Sequence, residues 1–478
     1  ATYNTGATLT NDSTQLTSKV GYFYLERNEA FFKDSVVVVD PQFTVRSDTM
    51  QFNTQTKVVN FLGPTLIAAD SSRIYCEDGF YDTQNSRAVF TENAQFVRGK
   101  QEATADKITY NGKSKEYILE GNARFDEEDK RATADVIRYE EETDRTILQG
   151  NARYQDEEQD IVSEEIIYSA ESESFTTTGR SRISDPPQII EADTINYAAE
   201  TGLGMAIGNV VWRDTTEDLT IKAQRANYNK ETDFFKATGG RPLLITVLDG
   251  DSLFLASDTL TAYKNQPQRD TLPVLDSLGV VIPDSINIIE STDTSRILIA
   301  DNNVEVFKSN LQAICDSLIY NTSDSIFIFH DQPIIWSDTS QFSADTIRMT
   351  LQNNQVHRMF LYSNSFVINS PDEEFYNQIK GNDITAFFKE GEVDRVDVQG
   401  NAESIYYALD DDDKYMGSNK TASSSMLVYF GSNEVERIKF VREPTAVFAP
   451  MKQADHTKLA GFRWEKQARP RSEVDLLE

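Results

Sequence analysis

Apolar and polar residues alternate over short segments along most of this chain. Ile137 and Tyr139 alternate with Val136 and Arg138, and the segment 148–154 that follows alternates in the same way. A period of two predicts a β-strand with one buried face. Charged, turn-forming stretches separate the segments, and no segment shows the period of an amphipathic helix. The pattern therefore predicts an all-β chain.

These strand pairs recur with a fixed step of 29 residues. The aromatic residue that ends the first strand of each pair follows this step, and so does a glycine in the second strand. A fixed period predicts stacked repeats, each of which buries its apolar face only against its neighbours. The aromatic series is Phe23, Phe52, Tyr81, Tyr110, Tyr139, Tyr168 and Tyr197, and the glycine series is Gly63, Gly121, Gly150, Gly179 and Gly208, with Glu92 in the remaining place.

A repeat of 29 residues is long for one coil of a parallel β-helix and suits two antiparallel strands with their turns. We therefore expect an elongated, repeat-built β-jellyroll or β-solenoid of stacked antiparallel strands. The glycine of each repeat lies in mid-strand, where it weakens the strand unless the sheet bends or another group approaches closely.

Breaks in the repeat divide the chain into five predicted segments. Prolines and a loss of alternation predict an insertion beside the stack, and the composition changes again near the end. The segments are a polar, loose lead-in (1–17), an N-terminal repeat stack (18–263), a Pro-containing insertion (264–295), a C-terminal repeat stack (296–443) and a tail that caps the last edge (444–478).

The net charge of −31 over 478 residues argues against binding to nucleic acid. It fits a solvated outer face that keeps a strand-rich protein soluble. No apolar run approaches the roughly 20 residues that a membrane-spanning helix needs.

An acidic residue recurs four positions before the strand-ending aromatic residue, as Asp106 and Asp135 do. Catalysis uses one convergent site rather than a ladder, so we predict that these carboxylates accept backbone N–H bonds at turns. His330, His357 and His456 have no second metal ligand at the usual spacing, and the chain has no phosphate loop or serine elbow. We therefore predict a protein that is not an enzyme, without catalytic residues, bound metal or cofactor; a polysaccharide-acting β-helix enzyme is disfavoured.

The apolar inner face of the stack has two interpretations. It can be a closed core, or it can be a groove that holds acyl chains along its length, and the residues alone leave both open. If it binds lipid, the candidate residues are Leu119, Phe125, Ile137, Tyr139, Leu148, Tyr154, Ile166, Tyr168, Ile195, Tyr197, Val210 and Trp212.

The repeated pattern A-D-x-I-x-Y, followed by G-N-A/V-x and an apolar residue, resembles the OstA/LptA family of lipopolysaccharide-transport proteins. The later copies GNDITAFF, VQGNAES and SSSMLVYF resemble the large OstA-like proteins of Bacteroidetes. The resemblance covers most of the chain. Its N-terminal copies are ADKITY from Ala105, LEGNARF from Leu119, LQGNARY from Leu148 and AIGNVVW from Ala206.

The resemblance implies a periplasmic β-jellyroll that binds lipopolysaccharide, with the lipid A acyl chains in its interior. We accordingly expect an envelope-associated protein, its signal peptide removed, that passes lipid along a hydrophobic groove toward the outer membrane. The expected partners are lipopolysaccharide and, through edge strands, other jellyroll proteins of the transport bridge or an outer-membrane translocon. The alternative function is a purely structural or adhesive β-solenoid with a sealed core.

Overall fold

A computed structural model describes residues 1–11, 13–69, 71–264, 269–275, 281–290, 296–410, 412, 414–431, 434–454 and 458–477. The chain forms two compact units, Ala1–Thr215 and Thr216–Glu478, here unit 1 and unit 2. Antiparallel β-strands make up most of each unit. This confirms the predicted all-β architecture of stacked antiparallel strands.

Unit 1 also contains one short 3-10 helix, Leu25–Arg27. Its strands are β1 (Thr2–Tyr3), β2 (Ala7–Asn11), β3 (Thr14–Ser18), β4 (Val20–Tyr24), β5 (Glu29–Val39), β6 (Thr44–Asn53), β7 (Val58–Ala69), β8 (Ser72–Asp82), β9 (Arg87–Arg98), β10 (Gln101–Asn111), β11 (Glu116–Glu127), β12 (Lys130–Glu140), β13 (Arg145–Gln155), β14 (Asp160–Ser169), β15 (Ser174–Asp185), β16 (Gln188–Ala198) and β17 (Leu203–Asp214).

From β5 to β17 each strand pairs antiparallel with the next, and two strands account for one 29-residue repeat. Every long strand has an irregularity near its middle. In the pairing of β12 with β13, the register runs from Arg131 to Thr133, breaks, and resumes at Val136. The strands are therefore divided into two half-sheets that meet along a row of bends. We name the half-sheet containing residues 131–133 the first and the one containing residues 136–140 the second.

In the best-preserved repeats the bend contains a glycine and an asparagine in left-handed conformations, as at 121–122, 150–151 and 208–209. Gly150 has φ +74° and Asn151 has φ +47°. A Cβ on Gly150 would lie 2.4 Å from Asp135 Oδ2, so both the backbone angle and the close carboxylate require glycine. Asn151 Nδ2 in turn donates to both Asp135 oxygens, at 3.0 and 3.3 Å. Both conditions that justify a mid-strand glycine, a bend and a close approach, are met here.

The same acid–asparagine link recurs along both units, and it corrects the expectation that these acids accept backbone N–H bonds. For most of these acids the observed partner is the asparagine side-chain amide at the bend of the paired strand. Further examples are Glu77 with Asn93, Asp106 with Asn122, Asp193 with Asn209, Asp258 with Asn303 and Asp345 with Asn364.

Unit 2 contains the helix α1 (Met451–Ala454) and two 3-10 helices, Lys466–Ala468 and Asp475–Leu477. Its strands are β18 (Leu219–Asn229), β19 (Phe234–Thr238), β20 (Leu243–Leu248), β21 (Asp251–Ala256), β22 (Thr259–Lys264), β23 (Arg269–Leu275), β24 (Val281–Glu290), β25 (Arg296–Lys308), β26 (Leu311–Asn321), β27 (Ile326–His330), β28 (Ile334–Ser337), β29 (Ser340–Ser343), β30 (Thr346–Gln352), β31 (Gln355–Asn369), β32 (Asn377–Lys389), β33 (Glu392–Leu409), β34 (Tyr415–Gly431), β35 (Glu434–Val441) and β36 (Thr445–Pro450).

Unit 2 repeats the two half-sheets, but some of its strands are interrupted at the bend. β26 pairs through one half with β28 and through the other with β27. Likewise β34 pairs with β36 in the first half-sheet and with β35 in the second. Strands β23 and β24 form a separate two-stranded hairpin within the predicted insertion.

The end of the chain folds back over the outer face of the first half-sheet of unit 2. Leu459 is buried against Phe366 and Ile368, and Leu476 is buried against Leu243 and Ala256. Residues 458–477, here the C-terminal segment, therefore cover this face. Earlier in the predicted capping tail, β36 pairs with β34. Apolar residues recur along this segment, and they pack on a sheet face that is also apolar.

The structure also differs from expectation at the other end. Residues 1–17, predicted to be a loose lead-in, contribute β1, β2 and most of β3. Strand β2 pairs with β3, and β3 pairs with β5. These strands were missed because five-residue segments rich in threonine carry little apolar alternation. No described helix has the length and apolar character needed to cross a membrane.

Candidate functional site

Four of the predicted inner-face residues form an unbroken apolar row inside unit 1. Leu119, Ile137, Leu148 and Ile166 are direct cross-strand neighbours on β11 to β14. Each is 5% exposed or less. Side chains opposite one another on adjacent strands are the pairs that stabilise a sheet. The repeats thus place one aliphatic side chain per strand at the same depth.

The row is interrupted before the later repeats. Thr177 lies between Ile166 and Ile195, and its hydroxyl accepts the backbone N–H of Ile195 at 3.2 Å. Beyond it, Ile195, Val210 and Trp212 are buried again. These three predicted residues therefore face the interior of unit 1 without being direct neighbours of the first four.

The predicted aromatic residues lie near the strand ends. Phe125, Tyr139, Tyr154, Tyr168 and Tyr197 are all half-buried. Tyr154 belongs to the first half-sheet and Tyr168 to the second, and their rings stack with centroids 6.5 Å apart. We name the side of each unit where such strand ends face each other, opposite the bends, the mouth. In the middle of unit 1, aromatic side chains line the mouth and touch across it.

Two more contacts bridge the mouth of unit 1. The rings of Phe96 and Tyr117 lie 5.6 Å apart, and Arg98 Nη1 lies 3.9 Å from Glu141 Oε1. Each pair joins the first half-sheet to the second. The interior of the central repeats is therefore partly screened from solvent.

Burial makes the phenols of this region poor acids. Desolvation, followed by the hydrogen bond that its hydroxyl donates to Asp144, raises the pKa of Tyr139 to about 12. Desolvation also raises the pKa of Tyr117 and Tyr154. These side chains are neutral at physiological pH, so the mouth presents uncharged aromatic surface between the two half-sheets.

The N-terminal end of unit 1 holds an open apolar groove of about 730 Å³. Its lining residues come from strands β2 to β8 and belong to both half-sheets. Lys57 and Glu29 are its charged residues, and Leu25 at its rim is 84% exposed. We name it the N-terminal groove; its apolar lining includes Leu16, Phe23, Phe32, Val38, Val45, Met50, Phe52, Val59 and Phe61.

Unit 2 has a smaller interior cavity of about 410 Å³. Leu244 and Leu255 line it from the first half-sheet, and Leu298 and Leu318 line it from the second. Arg296 is on its rim and is held by Asp233 at 3.2 Å. Both units therefore have apolar space between their half-sheets.

Apolar side chains dominate the lining of both spaces. Among the described residues no three His, Cys, Asp or Glu side chains converge as metal ligands would. Desolvation raises the pKa of the Cys76 and Cys315 thiols to about 12, so both stay protonated and unreactive. His456 lies outside the described residues. The interior is suited to passive binding of apolar groups.

None of the residues that line the N-terminal groove is among the twelve predicted lipid-binding residues. The prediction followed the best-preserved repeats, and those pack most tightly. A usable signal was present, because the aromatic series extends back to Phe23 and Phe52, and both line the groove.

Comparison with known proteins gives one family. Residues 15–144 and 124–174 match the model described as LptA/(LptD N-terminal domain) LPS transport protein. Among the solved structures that match is LptH, the LptA homologous periplasmic component of the lipopolysaccharide transport device from Pseudomonas aeruginosa. It is 14% identical, the match covers 23% of this chain and 82% of that chain, and the TM-score is 0.21. No curated protein matches the chain.

Proposed function

Residues 15–174 belong to the OstA/LptA-like family of lipopolysaccharide-transport proteins, and from this premise we propose that the protein is a periplasmic, non-enzymatic carrier of lipopolysaccharide. Lipid A acyl chains enter the apolar space between the half-sheets and pass along it toward the outer membrane. The observation that carries the proposal is the N-terminal groove, an open apolar space of about 730 Å³ that leads to a continuous buried apolar row.

The energetics of such binding follow from the contact area. Each Å² of acyl chain removed from water contributes about 25 cal/mol. Contacts of this kind have no preferred direction along the chain, so a lipid can be held by many of them and still slide. The neutral phenols at the mouth support entry of a lipid, because the aromatic pairs can move apart without exposing a buried charge.

We propose that the twelve predicted lipid-binding residues contact acyl chains. Leu148 and its neighbours would contact acyl chains only if the mouth opens, because they are almost fully buried. Tyr154 and Tyr168 would have to part to admit a lipid. The groove requires no such opening, so we expect acyl chains to occupy it first.

Edge strands provide the expected contacts with partner jellyrolls. β2 pairs with β3 on one side, and its other side has no strand partner in the part of the chain that the structure describes. At the opposite end of the chain, β36 pairs with β34, and Phe448 on it is 56% exposed. Unpaired strand edges accept a strand from another protein.

Two adjacent residues of the groove test the proposal. Phe61 lines the groove and is 3% exposed, whereas Leu62 points away and is 41% exposed. A photoreactive side chain at position 61 should crosslink to lipopolysaccharide in living cells, and one at position 62 should not. Equal labelling at both positions, or none at either, would contradict lipid binding in the groove.

One observation favours the alternative function, a structural or adhesive solenoid with a sealed core. The inner row of unit 1 is at most 5% exposed, and aromatic contacts bridge the mouth beside it. A sealed core needs no ligand. The crosslinking pair separates the two functions, because a sealed core leaves both positions without lipid adducts.

A further inference from the structure

A row of arginine and aromatic residues crosses five strands of unit 2 in direct register. Arg358 on β31 lies opposite Phe387 on β32, and Phe387 lies opposite Arg395 on β33. Arg395 lies opposite Tyr429 on β34, and Tyr429 lies opposite Arg437 on β35. We name these five residues the arginine ladder.

The ladder lies on the outer face of the second half-sheet. Val396 and Val428, which follow Arg395 and precede Tyr429, are completely buried in the interior. Successive side chains of a strand point to opposite faces, so the ladder points away from the interior. Its two terminal arginines are exposed.

Aromatic rings hold the guanidinium groups in place. The guanidinium carbons of Arg358 and Arg395 lie 5.2 and 4.1 Å from the ring centre of Phe387, and that of Arg437 lies 4.2 Å from the ring centre of Tyr429. Stacking uses the planar face of a guanidinium, so at Arg358 and Arg437 the N–H groups on its edge stay available to a ligand. Side chains ordered in advance lose less entropy when they bind a ligand.

The positive charge of the ladder is only partly neutralised. Arg395 donates to Asp397 through both Nε and Nη2, at 2.8 and 3.3 Å. Arg358 and Arg437 have no ion-pair partner among the residues that the structure describes. One row away on the same face are Arg348, whose Nε lacks a hydrogen-bond partner, and Lys439. Such a concentration of cations is unexpected on a chain of net charge −31.

We propose that the arginine ladder binds an extended saccharide that carries phosphate or carboxylate groups. A guanidinium binds each such group with two parallel hydrogen bonds. Successive arginines lie two strands apart, roughly 10 Å, a spacing that suits anionic groups distributed along a sugar chain and not one compact anion. The proposal deepens the proposed function in one respect, since acyl chains in the interior would leave a phosphorylated sugar headgroup outside.

Two other kinds of ligand fit the ladder less well. An acidic peptide gains affinity from main-chain hydrogen bonds at a strand edge, and the ladder lies across paired strands. An anionic membrane is attracted by a broad basic surface, whereas the ladder is a single line on an acidic protein. Polyglutamate and phosphatidylglycerol vesicles therefore serve as the probes for these two classes.

Deacylated lipopolysaccharide that retains its phosphates is the test ligand, because without acyl chains it cannot occupy the groove. We expect titration calorimetry at low ionic strength to show binding to the full chain. The triple variant Arg358→Gln, Arg395→Gln, Arg437→Gln should weaken it at least roughly tenfold. The matched control Arg131→Gln, Arg153→Gln, Arg213→Gln removes the same charge from unit 1 and should leave affinity unchanged.

Several results would overturn the proposal. These are undetectable binding to the unmodified chain, equal weakening in the triple variant and its control, or tighter binding of polyglutamate or vesicles than of the saccharide. A triple Arg→Lys variant guards against misfolding, because it keeps the charge and should still lose affinity with the paired hydrogen bonds. If the saccharide does not bind but position 61 still crosslinks to lipopolysaccharide, the arginine ladder alone is refuted. If the saccharide binds but position 61 does not crosslink, lipid binding in the groove alone is refuted.

Discussion

At the scale of single residues, the best-preserved repeats are defined by three residues that meet at the bend: an acid, a glycine and an asparagine. In one repeat, Gly150 makes room for the carboxylate of Asp135, and Asn151 donates to that carboxylate. This explains why the motif combines an acid in one strand with Gly-Asn in the next. The regular recurrence of the acids predicts a structural role, and their contacts at the bends fit it. Their partners are side chains that the sequence alone does not indicate.

The bend gives a prediction with an internal control. Gly150→Ala should lower the stability of unit 1 by about 2–3 kcal/mol, since a side chain at positive φ costs about 1–2 kcal/mol and the new Cβ also displaces Asp135. Gly99 also has positive φ, but a Cβ there meets no atom within 4 Å. Gly99→Ala should therefore cost only the backbone term, about 1 kcal/mol.

Urea unfolding of both glycine variants measures the difference. A clearly lower midpoint for Gly150→Ala than for Gly99→Ala supports the close packing of the carboxylate at the bend. If the two variants unfold at the same urea concentration, backbone strain alone accounts for the glycine and the packing argument fails.

At the scale of elements, the sequence predicts what depends on local pattern. The strand pairs and the aliphatic row through Leu148 follow from a period of two and a step of 29 residues. The cover over unit 2 was missed because it joins residues far apart in sequence, such as Leu476 and Leu243. The sequence does contain a signal for this cover, because Ile334–Ser337 lack apolar–polar alternation. All four residues are buried, as in a strand that is covered on both faces.

The C-terminal segment is predicted to depend on a few anchors. Leu459 is 4% exposed in a cluster with Ile405 and Tyr407, and its N–H donates to Gln378. Leu459→Ala should cost about 2–5 kcal/mol locally and detach the segment. Hydrogen exchange should then show faster exchange at the Leu459 amide and in β31 to β33.

A matched substitution on the same segment provides the control. Val474 is 57% exposed, so Val474→Ala should leave exchange unchanged. Unaltered protection in β31 to β33 after Leu459→Ala would mean that the segment adheres without this anchor, and that the outer face of the first half-sheet is stable without its cover.

At the scale of the whole molecule, each unit encloses apolar space between two half-sheets. The inner face was predicted, but the N-terminal groove was not, because it lies outside the best-preserved repeats. Cavity volume depends on how neighbouring repeats pack, which an alternation pattern does not specify. The division into units at Thr215 and Thr216 likewise differs from the predicted segments, whose boundaries stay predictions.

The central claim is that the interior of the repeats, beyond the groove at its end, carries lipid. Leu148 is 2% exposed on the inner row, and its neighbour Gln149 is exposed on the outer face. Photoreactive residues at these two positions, tested in cells that assemble an outer membrane, measure the claim directly. The account predicts lipopolysaccharide adducts at position 148 and none at position 149. Absence of adducts at position 148, or equal labelling at both positions, would contradict it and leave a sealed structural core.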